Sequence, residues 1–258
     1  MYTTRFRISL CLILVTSFAT TTWAKSLTNS TVCIKRVCFE CKDVNCNEIE
    51  KTFISATAWF YKSGKFLVTA RHVASGMGLT SNDWSEIELW RPDATGQLIL
   101  TDKISARSYY EHSFFTDGIA ILELERPVQK IKPLKIRTSP LLKGERLKSL
   151  GFFGKKAHFA EGRFLFQESV AKGNRSNFAL FEMRNREDIA ALDYGSSGAP
   201  LLDWRGNVVA IATISMSYSQ KSADGEEMPS SAPRGEGTNK GVPLSVLRDF
   251  KLVDIGKD

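Results

Sequence analysis

From Phe53 onward, short apolar runs alternate with turn residues at close intervals. Residues 56–61 (ATAWFY) and 66–70 (FLVTA) flank Lys62-Ser63-Gly64-Lys65. Two runs rich in aromatic and aliphatic residues, joined by a short glycine-containing link, predict a β-hairpin. Further runs of strand length lie at 86–90, 98–104, 119–124, 146–152, 164–170, 178–183, 201–204 and 208–214. Helical spacing is scarce, and residues 245–250 are the fair candidate near the end. Residues 219–239 are polar and rich in Gly, Ser and Pro, which predicts a long loop. Many short strands with little helix predict an all-β fold of the sandwich or barrel kind. No internal repeat is visible.

Ahead of this region the pattern changes. Residues 8–19 form a short, mostly apolar run behind Arg5 and Arg7, followed by Thr22-Trp23-Ala24. The run is too short to cross a hydrocarbon core of roughly 30 Å as a helix. A charged start, an apolar middle and a small-residue end predict a signal peptide over residues 1–24, cut after Ala24. Cys11 sits inside the run rather than at its end, so no lipoprotein cleavage is expected. The mature chain would then begin at Lys25, would be secreted or periplasmic, and would keep no stable membrane insertion.

Export bears on the cysteines. Cys33, Cys38, Cys41 and Cys46 lie close together, and none follows them. In an oxidising compartment this cluster predicts two local disulfides, with three connectivities open. A four-cysteine zinc site is the alternative, but only Cys38 and Cys41 have the C-x2-C spacing. On either reading residues 25–52 form a small Cys-rich N-terminal extension, ahead of one large domain over residues 53–258.

Composition narrows the field further. Of 258 residues, 43% are hydrophobic and 24% charged, which excludes collagen-like and wholly disordered chains. The net charge of +7 is mild when spread over this length. Basic residues are dispersed without an aromatic-basic motif, so nucleic acid is not an expected partner. No cofactor and no metal at the reactive site are expected.

Three segments could carry chemistry. In Asp193-Tyr194-Gly195-Ser196-Ser197-Gly198-Ala199-Pro200, glycines on both sides of a serine permit a tight turn. Such a turn exposes a hydroxyl and aims backbone N–H groups at a developing oxyanion. Thr69-Ala70-Arg71-His72-Val73 places His72 at the end of an apolar strand, and Asp117 stands just before the strand at 119–124. Each feature alone is also common in ordinary loops and strand ends.

Together the segments resemble the trypsin/chymotrypsin-like serine peptidases. Thr69-Ala70-Arg71-His72-Val73 is similar to the family's histidine motif. Asp117 before Ile119-Ala120-Ile121-Leu122 resembles its aspartate motif, and Gly195-Ser196-Ser197-Gly198-Ala199-Pro200 its G-x-S-G-G-P serine motif. The resemblance runs from about Phe53 to Phe250 and includes Gly241-Val242-Pro243-Leu244 as the last strand before a C-terminal helix. His72, His112 and His158 all precede Ser197, which excludes the Ser…Asp…His order of α/β-hydrolases.

The resemblance implies a chymotrypsin-like double β-barrel with a C-terminal helix, following the short Cys-rich extension. It implies a secreted serine endopeptidase acting on proteins or peptides through an acyl-enzyme. Ser197 would be the nucleophile, His72 the general base and acid, and Asp117 the residue that orients His72. The amides of Gly195 and Ser197 would form the oxyanion hole. Thr213, Ile214 and Ser215 would pair with substrate backbone, and the specificity pocket would have its floor near Ala191. A catalytically inactive relative that binds peptides or partners through the same cleft is the alternative.

The chain departs from the family pattern in several places. Gly118 stands between Asp117 and its strand, where a bulge would have to absorb an extra residue. Ala199 replaces the second family glycine. Ser196 replaces the acid of zymogen-activated members, which speaks against activation by a new N-terminal amine. No charge lies at the inferred pocket floor, so cleavage after small or medium neutral residues is expected. Glu226 and Glu227 in the long loop are the one route to a basic preference.

Overall fold

The computed structural model describes residues 27–41, 49–114, 117–153, 156–167, 179–185, 192, 195–215 and 238–244. Thirteen strands and one short helix succeed one another in these residues. The first barrel comprises β1 (Thr31–Cys41), β2 (Ile49–Tyr61), β3 (Phe66–Ala70), β4 (Ser85–Pro92), β5 (Leu98–Phe114) and β6 (Asp117–Leu124). Helix α1 (Arg71–Gly76) follows β3 directly. The second half contains β7 (Lys135–Ile136), β8 (Arg146–Phe153), β9 (Lys156–Gln167) and β10 (Ala179–Arg184). It ends with β11 (Pro200–Leu202), β12 (Asn207–Ser215) and β13 (Thr238–Pro243).

The first six strands close in the order β1-β2-β3-β6-β5-β4. The second sheet runs β11-β8-β9-β10-β13-β12-β7, and a β11–β12 pairing closes its first six strands into a second barrel. The two-residue β7 adds to β12 in parallel. Closure leaves no free sheet edge within each ring, which is how all-β domains of this kind avoid edge pairing. The architecture is the chymotrypsin-like double β-barrel. The expected C-terminal helix at residues 245–250 lies outside the described residues.

Residues 56–60 are buried without alternation. Their two faces meet different partners. The Thr57 hydroxyl reaches Gly195 and Phe152 of the second half, at 2.9 and 3.0 Å. Alternation then turns Ala56, Ala58 and Phe60 to the opposite face. One continuous core fills the first barrel and extends through Leu150, Phe152, Leu202 and Ile211 into the barrel junction. A second cluster around Leu147, Phe164, Phe181 and Leu201 fills the second barrel.

After β6 the connecting segment is pinned to the second barrel by Arg137. Its guanidinium donates to Glu145 Oε1 and Oε2 at 2.5 and 2.9 Å and to Asp203 Oδ2 at 3.1 Å. Asp203 also accepts from the Arg205 and Asn207 amides, both at 2.9 Å, closing the β11–β12 hairpin. The Glu145 carboxyl is held below the usual carboxylate range, chiefly by its hydrogen bond from Arg137.

The N-terminal region departs from the sequence expectation. Strand β1 is not part of a separate extension; it closes the first barrel, pairing with β2 from Thr31↔Trp59 to Cys41↔Ile49. Cys33, Cys38 and Cys41 therefore stand on one extended strand. At about 3.3 Å per residue, Cys33 and Cys38 are ~17 Å apart and Cys38 and Cys41 ~10 Å. A disulfide needs Cα atoms within about 7 Å. Two disulfides among four cysteines would need at least one pair within this strand, so the expected double staple does not form. The same backbone spacing, ~17 Å from Cys33 to Cys38, is too wide for both positions to serve one zinc ion. Cys33 is a buried free thiol whose Sγ lies 3.3 Å from Ser55 Oγ. Cys46 lies outside the described residues.

Candidate active site

Strands β3 and β6 bring two of the candidate residues to one place. Ala70, the last residue of β3, pairs with Ile119 of β6. Two residues beyond Ala70 is His72, in the first turn of α1. Two residues before Ile119 is Asp117, where β6 begins. The strands are antiparallel, so these two positions emerge at the same end of the pair. Helix α1 packs against β6, burying Val73 and Ala74 while His72 remains exposed. The sequence pattern had placed His72 on a strand end; it lies one residue into the helix that follows.

The expected bulge at Gly118 is absent. Pairing of β6 with β5 runs from Phe114↔Asp117 to Tyr110↔Ile121 without a shift, and the irregularity lies on β5 between Ser108 and Tyr110. A neighbouring carboxylate, Glu111, is engaged elsewhere. It accepts from Arg71 Nε at 3.1 Å and from Ser108 Oγ at 2.8 Å.

The serine segment folds as a tight turn. The Ala199 amide donates to Ser196 O at 2.8 Å, with Ser197 and Gly198 at the centre. Gly198 has φ of +88°, the value a type II turn requires at its third position. No side chain would fit there. A Cβ on Gly198 would sit 2.1 Å from Thr57 O, 2.4 Å from Thr69 Oγ1 and 3.0 Å from Thr69 Cα. The turn is thus pressed directly onto β2 and β3. Thr69 is three residues before His72, so Ser197 arrives beside the end of the β3–β6 pair where His72 and Asp117 emerge.

Three consecutive carbonyls of this turn are fixed. Gly195 O accepts from Thr57 Oγ1 at 2.9 Å, Ser196 O from the Ala199 amide, and Ser197 O from the Thr57 amide at 2.9 Å. Because a trans peptide is planar, fixing Ser196 O also fixes the Ser197 N–H, which points the opposite way. The Ser197 hydroxyl donates to Thr213 O at 3.3 Å. A bond of that length is weak, so the hydroxyl is free to exchange partners. Ser196, in the position of the family's acid, is 2% exposed. It packs over Gly151, where a Cβ would come within 2.7 Å of the Ser196 Oγ.

The remaining candidates are on or near β12. Thr213 is buried, while Ile214 and Ser215 continue the strand opposite Lys240 and Asn239 of β13. Ala191, the inferred pocket floor, lies outside the described residues, as do Glu226 and Glu227. Thr57 has no place in the three motifs, and Thr69 entered only as the first residue of the histidine motif. The available signal was a polar residue inside the apolar run ATAWFY.

A model of the trypsin-like peptidase domain matches residues 56–211, more than half of the chain. The chain belongs to that family. No curated protein matches the sequence. Among solved structures, the crystal structure of Deg5 has a similar fold, with a TM-score of 0.56 and 14% sequence identity. The similarity covers 89% of this chain and 90% of that one. His72 and Asp117 stand on the first barrel, and Ser197 leads into β11 of the second.

Proposed function

We propose that this trypsin-like peptidase is an exported serine endopeptidase that cleaves proteins or peptides through an acyl-enzyme. The observation that supports it most is the docking of the Ser197–Gly198 turn on β2 and β3, beside the strand ends that bear His72 and Asp117. In this reading Ser197 Oγ attacks the scissile carbonyl and His72 accepts its proton. His72 then returns a proton to the leaving amine, and Asp117 holds the imidazole in the tautomer that accepts from serine. The amides of Gly195 and Ser197 receive the oxyanion. Preorganised donors of this kind act where charge develops, and each is worth about 10²–10³ in kcat. The fixed Ser196–Ser197 peptide plane favours such preorganisation of the Ser197 amide.

Thr213, Ile214 and Ser215 offer a strand for the substrate backbone, and the uncharged residue type at the inferred floor, Ala191, favours cleavage after small or medium neutral residues. Residues 1–24 serve as the export signal, giving a secreted or periplasmic enzyme. Among the described residues no helix is long and apolar enough to cross a membrane.

A peptide-library digest with the mature protein, beside a Ser197→Ala control, tests the reading. Ser197→Ala should lower kcat on the order of 10⁶ while leaving the fold intact. Asp117→Asn should cost roughly 10⁴ by leaving His72 in the wrong tautomer. Wild-type protein that neither cleaves nor takes a fluorophosphonate label at Ser197 would refute the activity and leave a protease-like binding protein.

A further inference from the structure

Ala212 of β12 holds the Gly198 amide and the Ala199 carbonyl of the serine turn at 2.7 and 2.9 Å, and Thr57 ties the other side of the turn to the first barrel. The Thr57 amide donates to Ser197 O at 2.9 Å, and its hydroxyl donates to Gly195 O at 2.9 Å. The same hydroxyl accepts from the Phe152 amide of β8 at 3.0 Å. Its own carbonyl accepts from Thr69 Oγ1 at 2.8 Å. One fully buried residue of the first barrel therefore holds two carbonyls of the turn, an amide of β8, and the strand that leads into His72. The hydroxyl uses donor and acceptor at once, and no apolar side chain can do that.

We propose that Thr57 is a positioning residue, whose hydroxyl locks the Gly195–Ser197 backbone in its working conformation across the barrel boundary. The proposal rests on the serine-peptidase reading for its effect on catalysis, but not for its effect on the turn. Without the hydroxyl, Gly195 O and the Phe152 amide both lose a buried partner. A buried polar group without a partner carries its full desolvation penalty. The turn then relaxes, and the Ser197 amide no longer keeps its direction. Misplacement by about 1 Å is enough to cost ~10²-fold in rate. Substrate contacts on β12 are untouched, so binding is preserved.

Three variants test this: Thr57→Val, which keeps the shape and removes the hydroxyl, Thr57→Ser, which keeps the hydroxyl, and Thr57→Ala. The readouts are kcat and KM well below unfolding, with active sites counted by fluorophosphonate, and hydrogen exchange of the Gly198 and Ala199 amides. Thr57→Val should lower kcat by about tenfold to a hundredfold with KM within about threefold, and should speed exchange in the turn by about tenfold or more. Thr57→Ser should restore both. If valine prevents folding, Thr57→Ala against Thr57→Ser repeats the comparison, since those two differ by the hydroxyl alone. Unchanged kcat in a hydroxyl-free variant that only melts earlier would reduce Thr57 to a structural role and overturn the proposal. So would a serine variant as impaired as valine or alanine. If the wild-type chain cleaves nothing and takes no label, the peptidase reading fails by itself. Exchange in the turn then still decides for or against Thr57: unchanged exchange overturns it, and faster exchange rescued by serine supports it.

Discussion

Replacing Gly198 by alanine isolates the contact that sets Ser197 against the first barrel. Two costs add. An L-residue at φ of +88° pays about 1–2 kcal/mol for the left-handed conformation. The new methyl also lies 2.1 Å from Thr57 O and 2.4 Å from Thr69 Oγ1, which bond each other at 2.8 Å. Backbone on both sides leaves little room to yield, so overpacking adds about 1–3 kcal/mol. The sum is about 2–5 kcal/mol. In a domain of this size each kcal/mol lowers Tm by about 2–4 °C, giving a fall of roughly 4–20 °C. Gly96 supplies the control, with φ of +83° and nothing within 4 Å of an added Cβ. Gly96→Ala therefore pays the conformational cost alone. The difference in Tm between the two variants reads the contact, and it should be about 2–12 °C. Thermal unfolding by circular dichroism, with both variants made in the Ser197→Ala chain to prevent self-cleavage, measures it. Equal Tm values would refute the close docking of the turn on β2 and β3. In the active chain, Gly198→Ala should also abolish cleavage, because the turn cannot move off Thr69 without moving Ser197.

Two further outcomes follow from buried groups in the first barrel. Burial would raise the pKa of Glu123, but hydrogen bonds and charge from Lys65 at 2.8 Å and Arg107 at 2.6 Å outweigh it and hold the carboxyl below its usual value of 4.5. The folded state then stays ionised where the unfolded chain binds a proton. Glu123 therefore stabilises fully above about pH 4.5 and loses this as pH falls through the lower folded value. Both cations are a third or more exposed, so screening keeps the contribution near about 1 kcal/mol. Glu123→Gln should flatten the fall in urea-unfolding stability below pH 4.5, and an unchanged acid slope would exclude this carboxylate as its source. Burial also pushes the Cys33 thiol up, against the opposing Ser55 hydrogen bond and Lys35 charge. Alkylation of the native protein should therefore spare Cys33, and alkylation after unfolding without reductant should label it. A disulfide-linked peptide containing Cys33 would contradict its place inside the barrel.

Strand patterning from residue 53 onward was legible because each run alternates with turn residues, and β3, β8 and β12 begin or end within a residue of the expected bounds. The three candidate residues were legible as local motifs, since Gly195, Gly198 and the apolar strands flanking His72 and Asp117 leave a trace in the chain itself. Strand β1 was not, because its cysteines suggested a stapled extension. What makes it a strand is the register with β2 and β4, a non-local pairing that closes the barrel. Gly118 looked like a bulge, yet it pairs with Ser113 in register, and the irregularity of this strand pair lies on β5 near Tyr109, where local sequence gives no warning. Thr57 lay unremarked in ATAWFY, because a threonine in an apolar run has no assigned face until a second barrel packs against it. Sequence by itself determined which residues form strands and turns, since those depend on side chains a few positions apart. Only the tertiary structure decided that one hydroxyl of β2 holds the serine turn, because hydrogen bonds between residues 57, 152 and 195 exist only once both barrels have closed and met.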